Sequence, residues 1–158
     1  TSTYSFIMYS HSSYSDLWLP FFDRLEKHLP VSFTKYYLFV DKVPEEIKEL
    51  VPDHFQIITY QDEDPYTNRL KNCLEKVETD YCLFHHEDMI LCGDVKEDIF
   101  QQYMNVMETE KIDYIKLLKG GHPNDTAYKG KWTVAEYYPE LFQIFKTYGI
   151  DPDIRGSV

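Results

Sequence analysis

The stretch Asp80-Tyr81-Cys82-Leu83-Phe84-His85-His86-Glu87-Asp88-Met89 decides how the chain is read. It opens as an apolar run with the length of a buried strand and ends in two imidazoles and two carboxylates. Buried in a core, such a cluster would be costly unless its charges were paired or bound to a metal. At the carboxyl end of a strand in an open α/β sheet it is well placed, because ligands bind in the crevice beyond those ends. The expectation is a central strand with Cys82 inside it. If residues 81–88 are extended, His86 and Asp88 share one face while His85 and Glu87 share the other. His86 and Asp88 are then the pair to act together, and Glu87 joins them only if the strand has already broken into a loop.

Upstream, three further strand-like runs alternate with helical patterns. Tyr4 to Tyr9 is a first buried strand, followed by the hydroxyl-rich loop Ser10-His11-Ser12-Ser13-Tyr14-Ser15-Asp16. Ser15 or Asp16 then caps a helix whose one face carries Trp18, Phe21, Phe22, Leu25 and Leu29. A loop between first strand and first helix is where α/β folds hold a nucleotide, which makes Ser10, His11, Ser12 and Tyr14 candidates for binding. A plain capping turn is the simpler reading, and the absence of a glycine fingerprint disfavours a dinucleotide. Tyr36 to Asp41 is a second strand, Val43 to Leu50 a short helix, and Phe55 to Tyr60 a third strand. The acids of Gln61-Asp62-Glu63-Asp64-Pro65-Tyr66 read mainly as a solvated turn. A helix from Thr67 to Val77 follows, with Leu70, Cys73, Leu74 and Val77 inward. Arg69 lies off that stripe in the first turn, where it can fork onto a phosphate or ribose.

Downstream, Val95 to Glu110 is helical with Ile99, Tyr103, Val106 and Met107 inward, and Ile112 to Leu118 reads as a fifth strand. Residues 119–131 form a Gly- and Pro-containing linker bearing His122 and Asp125. A helix with Tyr137, Leu141, Ile144, Phe145 and Tyr148 ends at Gly149, and an irregular tail holds Asp151, Asp153 and Arg155.

The 158 residues suit one domain, with a nucleotide half at 1–94 and an acceptor half at 95–158. Sixteen Lys and Arg against twenty-seven Asp and Glu give a net charge of −11. That field repels a polyphosphate backbone and argues against nucleic-acid binding, while a nucleotide remains admissible if a divalent cation screens its diphosphate. Aromatic residues reach 16%, and Tyr offers flat surface with a polar tip for bases and sugars. No apolar run approaches the roughly 20 residues of a membrane span. Cys73, Cys82 and Cys92 are odd in number and lack zinc-type spacing, so reduced thiols and a cytoplasmic location are expected.

The element order, ending in a strand that delivers His86-Glu87-Asp88, resembles the GT-A fold of nucleotide-diphospho-sugar glycosyltransferases. Tyr66-Thr67-Asn68-Arg69-Leu70 together with Thr79 to Met89 is similar to small transferases encoded by large algal DNA viruses, whose setting would be the host cytoplasm. The resemblance covers about residues 4–118 in element order, and its specific part is the dozen residues around the triplet. It implies a Rossmann-type, mostly parallel sheet with flanking helices and a short acceptor-side C-terminal segment. It also implies Mn²⁺ or Mg²⁺ on Asp88, with His86 and His122 as further ligands and His86, Glu87 and Arg69 toward the nucleotide. The donor implied is a nucleotide sugar, with UDP as the nucleotide, and the acceptor a glycan or glycoprotein. The family's motif is Asp-x-Asp, so His86 is a departure in its first place. An inverting member needs a carboxylate base, for which Asp151, Asp125, Asp153 and Glu136 are candidates. Arg155 is a second cation for the diphosphate and Trp132 a stacking surface for a sugar. Two other classes stay open: a non-catalytic carbohydrate-binding module, and a nucleotidyltransferase of similar architecture, which would usually show a Gly-rich loop where Ser10 to Asp16 stands.

Overall fold

Tyr4–Tyr9 forms the first strand, β1, because five of its six residues are fully shielded and both faces are covered. Such double coverage is typical of parallel sheets, whose strands read as continuous apolar runs. The structure, a computed structural model, describes residues 2–117 and 139–151. It divides into two compact units, Thr1–Cys92 and Gly93–Val158.

The first unit is an α/β layer structure. Its other strands are β2 (Lys35–Val40), β3 (Phe55–Thr59) and β4 (Tyr81–His86). All pair in parallel, in the order β3-β2-β1-β4. Two helices flank the sheet: α1 (Trp18–His28) and α2 (Tyr66–Leu74). This arrangement is compatible with a Rossmann-like fold. The strand order reverses between β1 and β4, so the crevice of such a sheet lies above their carboxyl ends.

Alternation along β1 sorts the core into two layers. Ile7 and Tyr9 join Tyr37, Phe39, Ile58, Tyr60 and Cys73 in one cluster, with Leu70 of α2 and Phe84 of β4 packed against it. On the opposite face Phe6 meets Phe21 of α1, Phe33, Tyr36, Phe55 and His85 at centroid distances of 5.0–6.3 Å. Burying a side chain such as Phe6 contributes about 1.5–3 kcal/mol.

Several expectations need correction. Among the described residues β4 has one neighbour, β1, so the strand carrying the decisive stretch is an edge strand and not a central one. Cys82 is accordingly exposed rather than buried in the strand. The strand also ends at His86 instead of running to Asp88. The helix after β1 is not capped by Ser15 or Asp16. Those residues lie inside a 3-10 helix, Ser12–Leu17, which His11 caps by accepting a hydrogen bond from the Ser13 N–H. The segment after Pro44 is likewise a 3-10 helix, Glu45–Leu50, and α2 stops at Leu74, three residues short of Val77. All three cysteines are free thiols.

The second unit contains α3 (Glu97–Glu110) and α4 (Pro139–Thr147) among the described residues. The shielded stripe of α3 is Phe100 and Met104 at i, i+4, whereas Ile99, Tyr103 and Val106 are exposed. The apolar residues of α3 nearly encircle it, so spacing alone did not fix which face turns inward. Lys111 closes α3 in the left-handed region (φ 53°). Residues 112–117 then form no strand, because they find no ladder partner among the described residues, and Tyr114 is 75% exposed. Gly149 adopts φ 71° after α4, the helix-ending role expected of it. No helix among the described residues is long and apolar enough to cross a membrane.

Candidate functional site

The carboxyl ends of the four parallel strands deliver the site. Tyr9 closes β1 in register with His86 of β4. Ser10 extends the β1–β2 ladder through its N–H to the Phe39 carbonyl (2.9 Å), and Tyr60 extends the β2–β3 ladder through its N–H to the Val40 carbonyl (3.0 Å). The Tyr60 hydroxyl donates to the Ser10 carbonyl (2.6 Å), and the buried Trp18 Nε1–H donates to Ser10 Oγ (2.9 Å). The loop after β1 is therefore held from three sides before any ligand arrives.

A cavity of about 350 Å³ opens above these ends, lined among others by Tyr9, His11, Tyr14, Tyr66, Arg69, His86 and Glu87. Its size lies at the low end of the range for small-molecule sites. The Tyr9 and Tyr60 rings stack at 5.2 Å and 5°, and Tyr66 stands edge-on to Tyr9 at 5.1 Å. Burial raises the Tyr60 and Tyr66 phenols, reinforced by Tyr9 beside both. Both hydroxyls stay protonated at neutral pH and act as donors.

Arg69 is placed by α2 over the Tyr60 ring, its guanidinium carbon 5.1 Å from the centroid. Its Nε donates to the Asp64 carbonyl (2.7 Å) and its Nη2 to the Asp62 carbonyl, with Asp62 Oδ1 at 3.4 Å. The side chain is thus preset by the turn whose acids the sequence offered mainly as solvated.

On the other side of the cavity, His11 bridges two carboxylates. Its Nε2 lies 3.0 Å from Asp62 Oδ1 and 3.3 Å from Asp41 Oδ2. Asp41 also accepts from the Ser12 N–H and Ser12 Oγ–H, both at 2.7 Å. Burial pushes the Asp41 carboxyl up, but the Ser12 hydrogen bonds and His11 outweigh it, and its pKa falls below the ordinary value. His11, Asp41 and Asp62 each offer one atom within 4.8 Å of the others, close enough for a metal ion. The hydrogen-bond pattern points elsewhere. Ser13 N–H donates to His11 Nδ1 (3.0 Å), so Nε2 carries the ring hydrogen and gives it to the carboxylates. Ser12 and Arg69 engage the same two carboxylates.

The strand β4 breaks at His86 into a turn closed by Met89 N–H to the His86 carbonyl (3.1 Å). The break brings Glu87 to the cavity wall and leaves Asp88 exposed beside His86. Burial lowers the His86 pKa, with Asp88 opposing, and its Nε2 shares a hydrogen bond with the Tyr66 hydroxyl (3.0 Å). Two carboxylates and an imidazole share this turn, but among the described residues the three metal-competent side chains whose ligand atoms lie within 4.8 Å of one another are His11, Asp41 and Asp62.

The cavity thus gathers Ser10, His11, Tyr14, Arg69, His86 and Glu87, and Ser12 stands behind it on Asp41. Asp151 is exposed in the second unit. His122, Asp125, Trp132, Glu136, Asp153 and Arg155 lie outside the described residues. Asp41, Asp62, Tyr9, Tyr60 and Tyr66 escaped the sequence reading as site residues. The usable signal for Asp41 and Asp62 was their position at or just past the ends of β2 and β3. No protein-family model matches the sequence, and no curated protein matches it.

Proposed function

We propose that the chain is a GT-A-like glycosyltransferase that moves a sugar from a nucleoside diphosphate sugar, with UDP the expected nucleotide, to a glycan or glycoprotein acceptor. The observation that carries this reading is the cavity at the β1/β4 strand reversal, where Arg69, the Tyr60 and Tyr66 phenols, His86 and Glu87 converge, with Asp88 exposed next to them in the turn. The buried Tyr9–Tyr60 stack forms the floor, and the exposed Tyr14 and Tyr66 rings at the rim offer flat surface to a base or sugar ring. Glu87 puts a carboxylate on the cavity wall, which favours a diphosphate whose charge is screened. Mg²⁺ or Mn²⁺ on Asp88, with Glu87 next to it, would supply that screening and stabilise the leaving diphosphate as a Lewis acid. Arg69 then orients a phosphate or ribose oxygen, and neutral His86 with the Tyr66 hydroxyl presents a polar edge for a ribose or sugar hydroxyl.

Release of nucleoside diphosphate from a panel of UDP-, GDP- and CDP-sugars with Mn²⁺ tests this directly. Turnover of one nucleotide class that falls at least a hundredfold in Asp88→Asn is the expected result, the scale of losing one transition-state charge contact. The exposed Tyr14 and Tyr66 at the rim also favour a second reading, a carbohydrate-binding module. Binding of free sugar without metal, unchanged in Asp88→Asn, would establish that reading instead.

A further inference from the structure

The turn at the end of β4 is held by a residue far away in the sequence. From α1, Arg24 donates through Nε to the Leu91 carbonyl (3.0 Å) and through Nη2 to the Cys92 carbonyl (2.9 Å), 67 and 68 residues on. Residues 87–92 have no regular secondary structure, so strand pairing cannot fix them. On the upstream side the turn is anchored by β4 and by the His86–Met89 contacts, Met89 N–H to the His86 carbonyl and His86 N–H to Met89 Sδ (3.4 Å). On the downstream side its anchors are the buried Ile90 and the Arg24 fork.

From this geometry we infer that Arg24 is a positioning residue for the Glu87–Asp88 turn. Its planar fork clamps two successive carbonyls just past the turn and ties them to α1, which is itself seated on the sheet through Phe21 and Phe22. A lysine keeps the charge but cannot hold two carbonyls in one plane. A carboxylate that binds a cation through one short turn is sensitive to such support, and loss of outer-shell partners typically weakens metal affinity 10–100-fold. This inference rests on the proposed metal role of the turn, although its structural half stands apart from it.

The test compares wild type with Arg24→Gln and Arg24→Lys in the full chain. A control variant, Val31→Ala, thins the core ahead of β2 and is compared at equal distance below its own Tm. Amide exchange without ligand is read at Met89 and its neighbours. The Mn²⁺ midpoint for nucleotide binding is then read with the nucleotide that wild type prefers. Faster exchange at residues 88–92 in both Arg24 variants, with β1 amides unchanged, is expected. A Mn²⁺ midpoint raised about tenfold or more in those variants, and unmoved in Val31→Ala, is the second expectation. Unchanged exchange at Met89, or a Mn²⁺ midpoint that follows stability in all three variants, would overturn the role of Arg24. Wild type that binds no nucleotide in a metal-dependent way would overturn the functional reading instead, and that failure shows before any variant is made.

Discussion

Replacing His85 with Phe should flatten the acid limb of the stability curve. His85 sits on the α1 face of β4, stacked on Phe6 at 5.0 Å and edge-on to Phe21 at 6.2 Å, with Nδ1 buried and without a hydrogen-bond partner. Burial, helped by the neighbouring His86, lowers its pKa from 6.5 to about 4. The folded state therefore keeps this ring neutral while the unfolded chain takes up a proton below its ordinary pKa. The sign follows. The contribution is complete above pH 6.5 and is lost as pH falls from there toward 4, where the folded protein begins to protonate too. A shift of that size corresponds to about 3 kcal/mol in full, and about 2.5 kcal/mol of it is lost between pH 7.5 and 4.5. Phenylalanine keeps the stack with Phe6 and Phe21 and removes both the titration and the orphaned nitrogen. Urea unfolding followed by circular dichroism at the two pH values gives the comparison, and carboxylates common to both proteins cancel in the difference. Wild type should lose about 2–3 kcal/mol more than His85→Phe on acidification. Equal losses would show that His85 is solvated and that the aromatic face of β4 is packed more loosely than these ring distances imply.

Other perturbations separate the core from the cavity. Ser10→Ala removes the acceptor of the fully buried Trp18 indole N–H and should cost about 1–3 kcal/mol in thermal unfolding. Phe6→Ala empties the centre of an aromatic layer in which five rings surround Phe6 and should cost about 3–5 kcal/mol, measured by urea unfolding. For Asp41, whose pKa is lowered, the stabilising contribution is present above the ordinary carboxylate pKa and fades as pH drops through the folded value. Asp41→Asn should remove that portion of the acid sensitivity while leaving the His85 limb in place. Arg69→Lys loses the fork preset over Tyr60, and nucleotide affinity by calorimetry should fall about tenfold, equivalent to ~1.4 kcal/mol.

Much of the first unit was legible because burial leaves long apolar runs. Tyr4–Tyr9, Lys35–Val40 and Phe55–Thr59 stand out as strands, and Phe21, Phe22 and Leu25 mark the buried stripe of α1. What periodicity does not carry is neighbourhood. An apolar run reads alike at the centre or the edge of a sheet, so β4 was placed centrally and Cys82 inside. The same limit applies to Ile112 to Leu117, whose alternation suits a strand that finds no partner among the described residues. At the site, His11 could be picked out in the loop after β1, Arg69 off the apolar stripe in the first turn of α2, and His86 at the end of β4. Asp62 looked like one acid among several, and only folding brings it to His11 and Arg69, 51 and 7 residues away. The break after His86 was an open alternative in the sequence, and the His86–Met89 contacts that close the turn decide it.

The most direct test of the central claim is a thermal shift of the full chain with UDP, GDP and CDP, each with and without Mn²⁺. A ligand bound only by the native state adds RT ln(1 + [L]/Kd), about 2.7 kcal/mol at a hundredfold excess over Kd. The account predicts a rise in Tm for one nucleotide, UDP first, that requires Mn²⁺ and disappears in Asp88→Asn. No shift with any nucleotide, or a shift that persists without metal and in Asp88→Asn, would contradict it.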